Sequence, residues 1–166
     1  DAATAIAEYV GGSEEAFVNM MNRRAQELMA NGTHFMNPHG LHDDNHYTTA
    51  YDLYLIFNEC IKHEDFVNII QSEAYTAYYT DVDGNSQEAL FTPTNLYAQG
   101  EVDVPENVTI VGGKTGTTDE AGYCLILMEK DSSDNPYISI VMGASEKPVL
   151  YEDMTSLIEA IPSGQQ

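Results

Sequence analysis

The amino-acid sequence predicts an α+β fold, in which helices come first, an antiparallel sheet follows and a last helix closes the chain. In the first half, apolar residues recur at three- and four-residue steps, which is the helical period. The second half contains stretches of strand composition joined by the polar turns TDE and DSSDN. Such short connections favour an antiparallel meander over parallel crossovers.

Residues 1–72 form the predicted helical part. The segment DAATAIAEYV is predicted to be a short helix that Gly11-Gly12 ends, and Ser13 with the two glutamates that follow marks the start of a second helix. That second helix is predicted to end at Asn31-Gly32. Its apolar stripe consists of Phe17, Met20, Met21, Ala25, Leu28 and Met29.

After a polar connection, Thr48 or Thr49 is predicted to cap a third helix, TTAYDLYLIFNECIKH. A short fourth helix, HEDFVNIIQS, completes this part of the chain. The side chains predicted to face inward from the third helix are Leu53, Ile56, Phe57, Cys60 and Ile61.

Residues 73–162 form the predicted sheet and closing helix. The stretches EAYTAYYTD and EALFTP flank VDGNSQ, whose Asp83-Gly84 is a hairpin signal. Three further strands are predicted in VTIVGGKTGT, AGYCLILMEK and PYISIVMGA, and LYEDMTSLIEAI is the closing helix. Residues 163–166 are predicted to be a tail or linker.

Length and charge restrict the possible functions. At 166 residues the chain is one domain or most of one, with 27 acidic against six basic residues and a net charge of −21. So negative a surface repels nucleic acid and anionic membranes, and no segment approaches the ~20 apolar residues of a membrane span. An anionic ligand would need a specific local cation. Cys60 and Cys124, in apolar stretches, are expected to be buried free thiols.

One of the few cations, Lys114, lies in the sequence VGGKTGTT. A phosphate-binding loop would need glycine where Val108 stands, so a nucleotide site is disfavoured. A plain strand with a solvated lysine is another possibility, but two glycines would weaken such a strand unless something approaches its backbone. The stretch therefore predicts an edge strand that receives an anionic, peptide-like ligand through Lys114, Thr115, Gly116 and Thr117.

Two other polar clusters are interpreted as structural. The histidines of THFMNPHGLHDDNHY match no standard zinc spacing, so their side chains and those of the asparagines are expected to tie backbone groups in a connection between helices. Ser133-Asp134-Asn135 spells a string found in β-lactamases, but it lies between two predicted strands and is interpreted as a turn. No metal site is predicted.

With these motifs, the chain resembles the serine D-alanyl-D-alanine carboxypeptidases, the low-molecular-mass penicillin-binding proteins of peptidase family S11. The resemblance rests on GGKTGTTDEAGYCLI at 112–126, on the helix, HGL connection and next helix at 17–53, and on ISIVMGA at 138–144. It implies a β-lactamase/transpeptidase-like fold that is incomplete here. Residues 1–162 would be the C-terminal portion of the catalytic domain.

The resemblance also implies a function and roles for the four residues. The parent enzyme would remove the terminal D-Ala from peptidoglycan stem peptides through an acyl-enzyme, be acylated by β-lactams, act outside the cytoplasmic membrane and need no metal or organic cofactor. Lys114 and Thr115 would bind the terminal carboxylate. Gly116 would let the substrate lie along the strand, and the Thr117 backbone N–H would donate to the oxyanion.

The family's nucleophile motif, Ser-x-x-Lys, occurs nowhere in these 166 residues. By the resemblance, Asp1-Ala2-Ala3 would follow directly after the family's Ser-x-Asn motif, so we expect this chain alone to be inactive. We also expect the missing half to be present as a separate piece, or its place to be taken by self-association. A β-lactamase or DD-endopeptidase of the same superfold and a non-catalytic muropeptide-binding module remain as alternatives.

Overall fold

The computed structural model describes residues 1–162. The tail predicted at 163–166 lies outside the described residues. Four helices come first, and they are α1 (Ala2–Gly11), α2 (Glu14–Glu27), α3 (Ala50–Cys60) and α4 (Glu64–Ile70). A hairpin of β1 (Tyr75–Thr80) and β2 (Ser86–Phe91) follows, and then the one-turn helix α5 (Leu96–Gln99). The chain continues with β3 (Val108–Thr118), β4 (Gly122–Asp131), β5 (Pro136–Ala144) and α6 (Lys147–Glu159). The α+β prediction is confirmed.

The two sheets have the predicted antiparallel pairing. The first contains β1 and β2, and the second has the strand order β3-β4-β5, so that β3 and β5 are its outer strands. The hairpin turns at Gly84, whose φ of 84° lies in the left-handed region that glycine adopts at little cost. The meander thus leaves one edge of β3 and one edge of β5 without a strand partner in the described chain.

Helix boundaries follow the capping signals where these exist. Gly12 ends α1 in the left-handed conformation, with φ 81°. The Ser13 hydroxyl accepts a hydrogen bond from the Ala16 N–H at the start of α2, and the Thr49 hydroxyl accepts one from the Asp52 N–H at the start of α3. These starts agree with the sequence prediction.

Two boundary predictions are wrong, and one short helix is absent from the prediction. Helix α2 ends at Glu27, before Asn31-Gly32, because Met29 adopts a left-handed φ of 63° and the Ala30 N–H bonds to the Ala25 carbonyl, which buries Ala30. Helix α6 begins at Lys147, three residues before the predicted start, with a proline in its first turn. Helix α5 was not predicted, since a single turn capped by Asn95 has no apolar period.

The main core lies between the three-stranded sheet and α6. It is formed by Tyr97, Val108, Leu125, Leu127, Ala144, Leu150, Tyr151, Met154 and Ile158. Because side chains alternate along a strand, the residues that pair with Leu125 and Leu127 face α6, and their neighbours in sequence face the opposite side. Helices α3 and α4 pack against β5 and β3.

The inward face predicted for α3 is only partly correct. Phe57 is buried and contacts the Phe66 ring, but the other predicted apolar residues of this helix remain partly exposed. The second buried residue of α3 is Asp52, whose carboxylate accepts a 2.7 Å hydrogen bond from the Thr33 hydroxyl. Part of the α2 stripe is also uncovered, and the side chain of Met20 is exposed.

The two cysteines are free thiols, as predicted, but each is only half-buried. Cys60 lies near the end of α3, where burial is the largest cause of a raised thiol pKa. Cys124 lies on β4, beside Gly116 of β3.

Candidate functional site

The sequence VGGKTGTT occupies the outer strand β3, and its free edge borders the candidate site. Lys114 pairs with Ile126 of β4, and Thr115 pairs with Leu125. By the alternation of the strand, Lys114 lies on the face opposite α6, whereas Thr115 lies on the face toward the core. A shift in the pairing register between Ile110 and Gly112 precedes this segment.

The glycines of β3 sit where backbone or side chains approach closely. A Cβ atom at Gly112 would overlap the Ile70 carbonyl of α4, and one at Gly113 would overlap the Ile126 carbonyl. At Gly116 the nearest atom would be the Cys124 Cβ at 4.0 Å, so that position is open rather than crowded. The absence of a side chain at Gly116 therefore leaves space above the strand edge.

A cavity of about 750 Å³ lies beside this edge. Its first wall is the β3 segment from Lys114 to Thr118, and the loop from Pro38 to Leu41 also lines it. The start of α6 contributes Lys147 and Tyr151. The cavity therefore joins the KTG strand, the HGL connection and the last helix in one cleft.

The loop in this cleft is held by its own histidine and asparagine side chains, as the sequence predicted. The Asn37 side-chain amide donates to the Leu41 carbonyl at 2.9 Å and its oxygen accepts from the Gly40 N–H at 2.8 Å. The Leu41 N–H donates to His39 Nδ1, and the Met36 N–H donates to His46 Nδ1, both at 3.2 Å. These bonds fix a connection of irregular backbone.

Two histidine–glutamate contacts join this loop to its neighbours. His42 Nδ1 lies 3.8 Å from a carboxylate oxygen of Glu120, in the turn between β3 and β4. His39 Nε2 lies 3.8 Å from a carboxylate oxygen of Glu14 in α2. The loop therefore contacts both the end of the KTG strand and the helical part.

The Thr115 hydroxyl is positioned by Thr94, a residue that lies outside the predicted site. Its oxygen lies 2.6 Å from the Thr94 hydroxyl, which follows the hairpin. The Lys114 ammonium donates to the Thr115 carbonyl. Thr94 and Thr115 are distant in sequence, so only the folded chain brings the two hydroxyls together.

Beneath the strand, two tyrosines connect α5 to α6. The Leu96 N–H donates to the Tyr151 hydroxyl at 3.0 Å, and the Tyr97 hydroxyl lies 2.7 Å from that of Thr155. Burial is the largest cause of a raised pKa in both tyrosines, so their hydroxyls stay protonated at neutral pH. They support the cleft as neutral hydrogen-bonding groups.

The Ser-Asp-Asn string lies at the other end of the sheet. Asp131 accepts hydrogen bonds from the Ser133 N–H and from the backbone and side chain of Asn135, and Asp134 has a left-handed φ of 66°. This is turn chemistry, as predicted. Within residues 1–162, no group of three or more histidine, cysteine or acidic side chains could hold a metal ion, and no helix is long and apolar enough to cross a membrane.

The structure brings Lys114, Thr115, Gly116 and Thr117 to one cleft. It adds Lys147, Tyr151 and Thr94, which sequence reasoning missed because nothing local distinguishes them. Two of the chain's six Lys and Arg side chains thus line one cavity in a protein of net charge −21. Such a cleft suits an extended ligand with a carboxylate.

Comparison with known proteins identifies a family of similar sequence. The sequence profile described as "D-alanyl-D-alanine carboxypeptidase" matches residues 1–146. The D-alanyl-D-alanine carboxypeptidase DacF of Bacillus subtilis is 33% identical over 159 residues, which cover 96% of this chain and 38% of that protein. DacC of Escherichia coli is 29% identical over 158 residues, 95% of this chain and 36% of that protein. The chain spans little more than a third of these relatives.

Solved structures share the fold. The Streptomyces K15 DD-transpeptidase superimposes with a TM-score of 0.84 at 25% identity, covering 95% of this chain and 60% of that one. The D-alanyl-D-alanine carboxypeptidase DacD of Francisella tularensis gives a TM-score of 0.79 at 23% identity, with 95% and 47% covered. The incomplete β-lactamase/transpeptidase-like fold is therefore confirmed.

Proposed function

Because this chain belongs to the family of D-alanyl-D-alanine carboxypeptidases, we propose that it forms the substrate-binding wall of such an enzyme. The whole protein would be a serine hydrolase of the cell wall that releases the terminal D-Ala from peptidoglycan stem peptides and is acylated by β-lactams. It would act outside the cytoplasmic membrane, where peptidoglycan lies. Residues 1–162 would be the C-terminal portion of the catalytic domain, with 1–72 as its helical part.

The observation that carries this proposal is the placement of the Lys-Thr-Gly segment on a free strand edge inside a cleft. An extended peptide can add to the edge of β3 through backbone hydrogen bonds. Lys114 and the Thr115 hydroxyl would hold its carboxylate by charge-assisted hydrogen bonds. The open space at Gly116 would admit the peptide backbone.

Further along the edge, the Thr117 backbone N–H would be one oxyanion donor for the attacked carbonyl. The reaction would be acyl transfer: a serine attacks the amide carbon, D-Ala leaves with the proton it needs, and water then hydrolyses the ester. The serine and its lysine base would come from a Ser-x-x-Lys segment outside these 166 residues. The proposed roles of this chain are to bind, orient and polarise the substrate.

The proposed position for that segment is the uncovered side of the sheet. Strand β5 has no outer neighbour in the described chain, and Ile126 and Ile140 on the face opposite α6 are only half-buried. We propose that the N-terminal half of the domain pairs at β5 and covers this face, or that a second copy does so in its absence.

Removal of the Lys114 charge by substitution is a test of the proposed function. In a protein that carries this chain together with its Ser-x-x-Lys segment, Lys114→Ala should slow acylation by a fluorescent penicillin at least about tenfold, because a charge-assisted hydrogen bond is lost. Denaturing gels and intact-mass analysis measure the label. No label on the unsubstituted protein would contradict the proposed enzyme.

Lys130→Ala is the matched control. Lys130 lies on β4 of the same sheet, is paired with Asp134 at 2.8 Å and does not line the cleft. Its loss should leave the acylation rate unchanged. Equal acylation rates for the Lys114→Ala and Lys130→Ala variants would show that Lys114 does not bind the ligand carboxylate.

A second candidate activity comes from the Streptomyces K15 neighbour, which is described as a DD-transpeptidase. Transfer of the acyl group to an amine and transfer to water share the same acyl-enzyme and differ only in the acceptor. Mass analysis of the products with and without an added amino-acid amine distinguishes them. A new amide product would identify transpeptidation.

A further inference from the structure

A second cavity, of about 600 Å³, adjoins the candidate site at Lys114. It lies between the end of α4, the base of the hairpin, the start of α5 and β3. Most of its surface is apolar, and its lining includes Ile69, Ile70, Tyr75, Phe91 and Ala98. We call it the apolar cavity. The proposed roles of Lys114, Thr115, Gly116 and Thr117 do not use it.

The two cavities follow one another along β3. Thr117 lines the first, Gly113 lines the second, and Lys114 borders both. Thr117 and Gly113 are four residue steps apart along the strand, which is about 13 Å. A peptide lying along this edge, with its attacked carbonyl at Thr117 and its carboxylate at Lys114, therefore ends at the mouth of the apolar cavity.

Much of the apolar wall of this cavity is open to solvent. Tyr75 and Phe91, paired at the base of the hairpin, are 65% and 59% exposed. A single cation at the entrance and apolar walls beyond it complement a ligand that has a carboxylate next to an apolar group. In a C-terminal D-amino acid with an apolar side chain, the carboxylate and the apolar group are attached to the same α-carbon.

We propose that the apolar cavity binds the side chain of the C-terminal D-residue, so that the enzyme accepts larger apolar residues than D-Ala in this position. This inference rests on the proposed function. The reaction is unchanged: the peptide C–N bond breaks, water supplies a hydroxyl to the acyl carbon and a proton to the amine, and a D-amino acid is released. The substrates are stem peptides that end in D-Leu, D-Met or D-Phe.

The test compares two synthetic peptides that differ only in the last residue, D-Ala or D-Phe. The measured quantity is the ratio of kcat/KM for the D-Phe peptide to that for the D-Ala peptide, in the protein that carries the Ser-x-x-Lys segment. Phe91→Ala should lower this ratio about three- to tenfold, because one apolar wall is lost. Ala98→Phe, on the exposed side of α5, should lower it by filling the cavity.

The control is Leu90→Ala. Leu90 is the neighbour of Phe91 on β2, is 67% exposed and does not line the apolar cavity. This variant should keep the ratio of the unsubstituted protein. Leu90→Ala should also keep the kcat/KM of the unsubstituted protein for the D-Ala peptide, and measurable hydrolysis of the D-Ala peptide by each variant shows that the variant folds.

The outcomes separate the two proposals. If the D-Ala peptide is hydrolysed and the ratio is the same in all variants, the apolar subsite is wrong and the proposed function stands. If neither peptide is hydrolysed by the unsubstituted protein, the proposed function fails and the subsite fails with it. A lowered ratio in both Phe91→Ala and Ala98→Phe, but not in Leu90→Ala, supports the subsite.

Discussion

Glu129 on β4 is fully buried, and in the described part of the chain neither carboxylate oxygen makes a hydrogen bond of normal geometry. It pairs with Ile110 of β3 and Tyr137 of β5, and like Leu127 two residues before it, it lies on the α6 face. Desolvation raises the pKa of Glu129 to about 7, although Ser139 on β5 offsets part of the effect. The protonated form of Glu129 is therefore favoured in the folded chain.

Glu129 should make stability depend on pH. Its pKa is raised on folding, so its ionisation penalises the folded state, and stability should fall as pH rises from about 4.5 to about 7 by about 3 kcal/mol. The variant Glu129→Gln removes this titration. In urea titrations, the unfolding free energy of this variant minus that of the unsubstituted protein should be larger at pH 8 than at pH 5, because only the unsubstituted protein loses stability on ionisation of Glu129.

Glu88→Gln, at an exposed position of β2, is the control and should show no such change with pH. If Glu129→Gln and the unsubstituted protein kept a constant difference from pH 5 to pH 8, the raised pKa of Glu129 would be contradicted.

At the scale of elements, β3 has three glycines within five residues, and they are not equivalent. Gly112 is buried against the end of α4, and Gly113 lies against the neighbouring strand. Gly116 is exposed and has open space above it. The first two therefore serve packing, and the third serves access to the strand edge.

This difference predicts two separate phenotypes. Gly112→Ala should lower the unfolding free energy by about 1–3 kcal/mol, because the new methyl group overlaps the Ile70 carbonyl and α4 must move. Gly116→Ala should change it by less than about 0.5 kcal/mol and yet slow acylation by penicillin, because the methyl group stands where the ligand backbone would lie. Urea unfolding and penicillin labelling measure the two effects.

A strongly destabilised Gly116→Ala variant would show that this glycine also serves packing. If a stable Gly116→Ala variant were acylated at the normal rate, the proposal that the ligand backbone lies against Gly116 would be contradicted.

At the scale of the whole molecule, uncovered apolar surface lies beside the free edge of β5. A groove along the free edge of β5 is lined by Tyr54 of α3 and by Leu157 and Ala160 near the end of α6. The adjacent face carries Met142, 38% exposed, and half-buried isoleucines. An unpaired strand edge beside apolar surface favours association with another polypeptide.

We therefore expect the 166-residue chain, prepared alone, to self-associate and not to react with penicillin. Adding the N-terminal half of the domain should reduce self-association. Ile140→Glu, on the face opposite α6, should also reduce it, because a charge would be buried at the contact. Light scattering measures the size of the species. A monomer at high concentration that binds no apolar dye would contradict the expectation.

The sequence determined the class of fold because its signals are local. Ser13 and Thr49 begin helices by accepting hydrogen bonds from the N–H groups of Ala16 and Asp52, three residues further on. Gly12 and Gly84 adopt left-handed conformations, and short turns require antiparallel neighbours. The Lys-Thr-Gly segment was recognisable for the same reason, since its residues are contiguous. Signals of this kind can be recognised without reference to the rest of the chain.

Features that depend on contacts between distant segments of the chain were determined only by the tertiary structure. Nothing near Thr94 or Lys147 in sequence shows that they adjoin Lys114, and Glu129 differs from other glutamates only by its burial. The early end of α2 has a similar cause, because Met29 takes a left-handed conformation that places Ala30 in the interior. Cavities, burial and raised pKa values arise from packing, and packing is a property of the assembled elements rather than of any one of them.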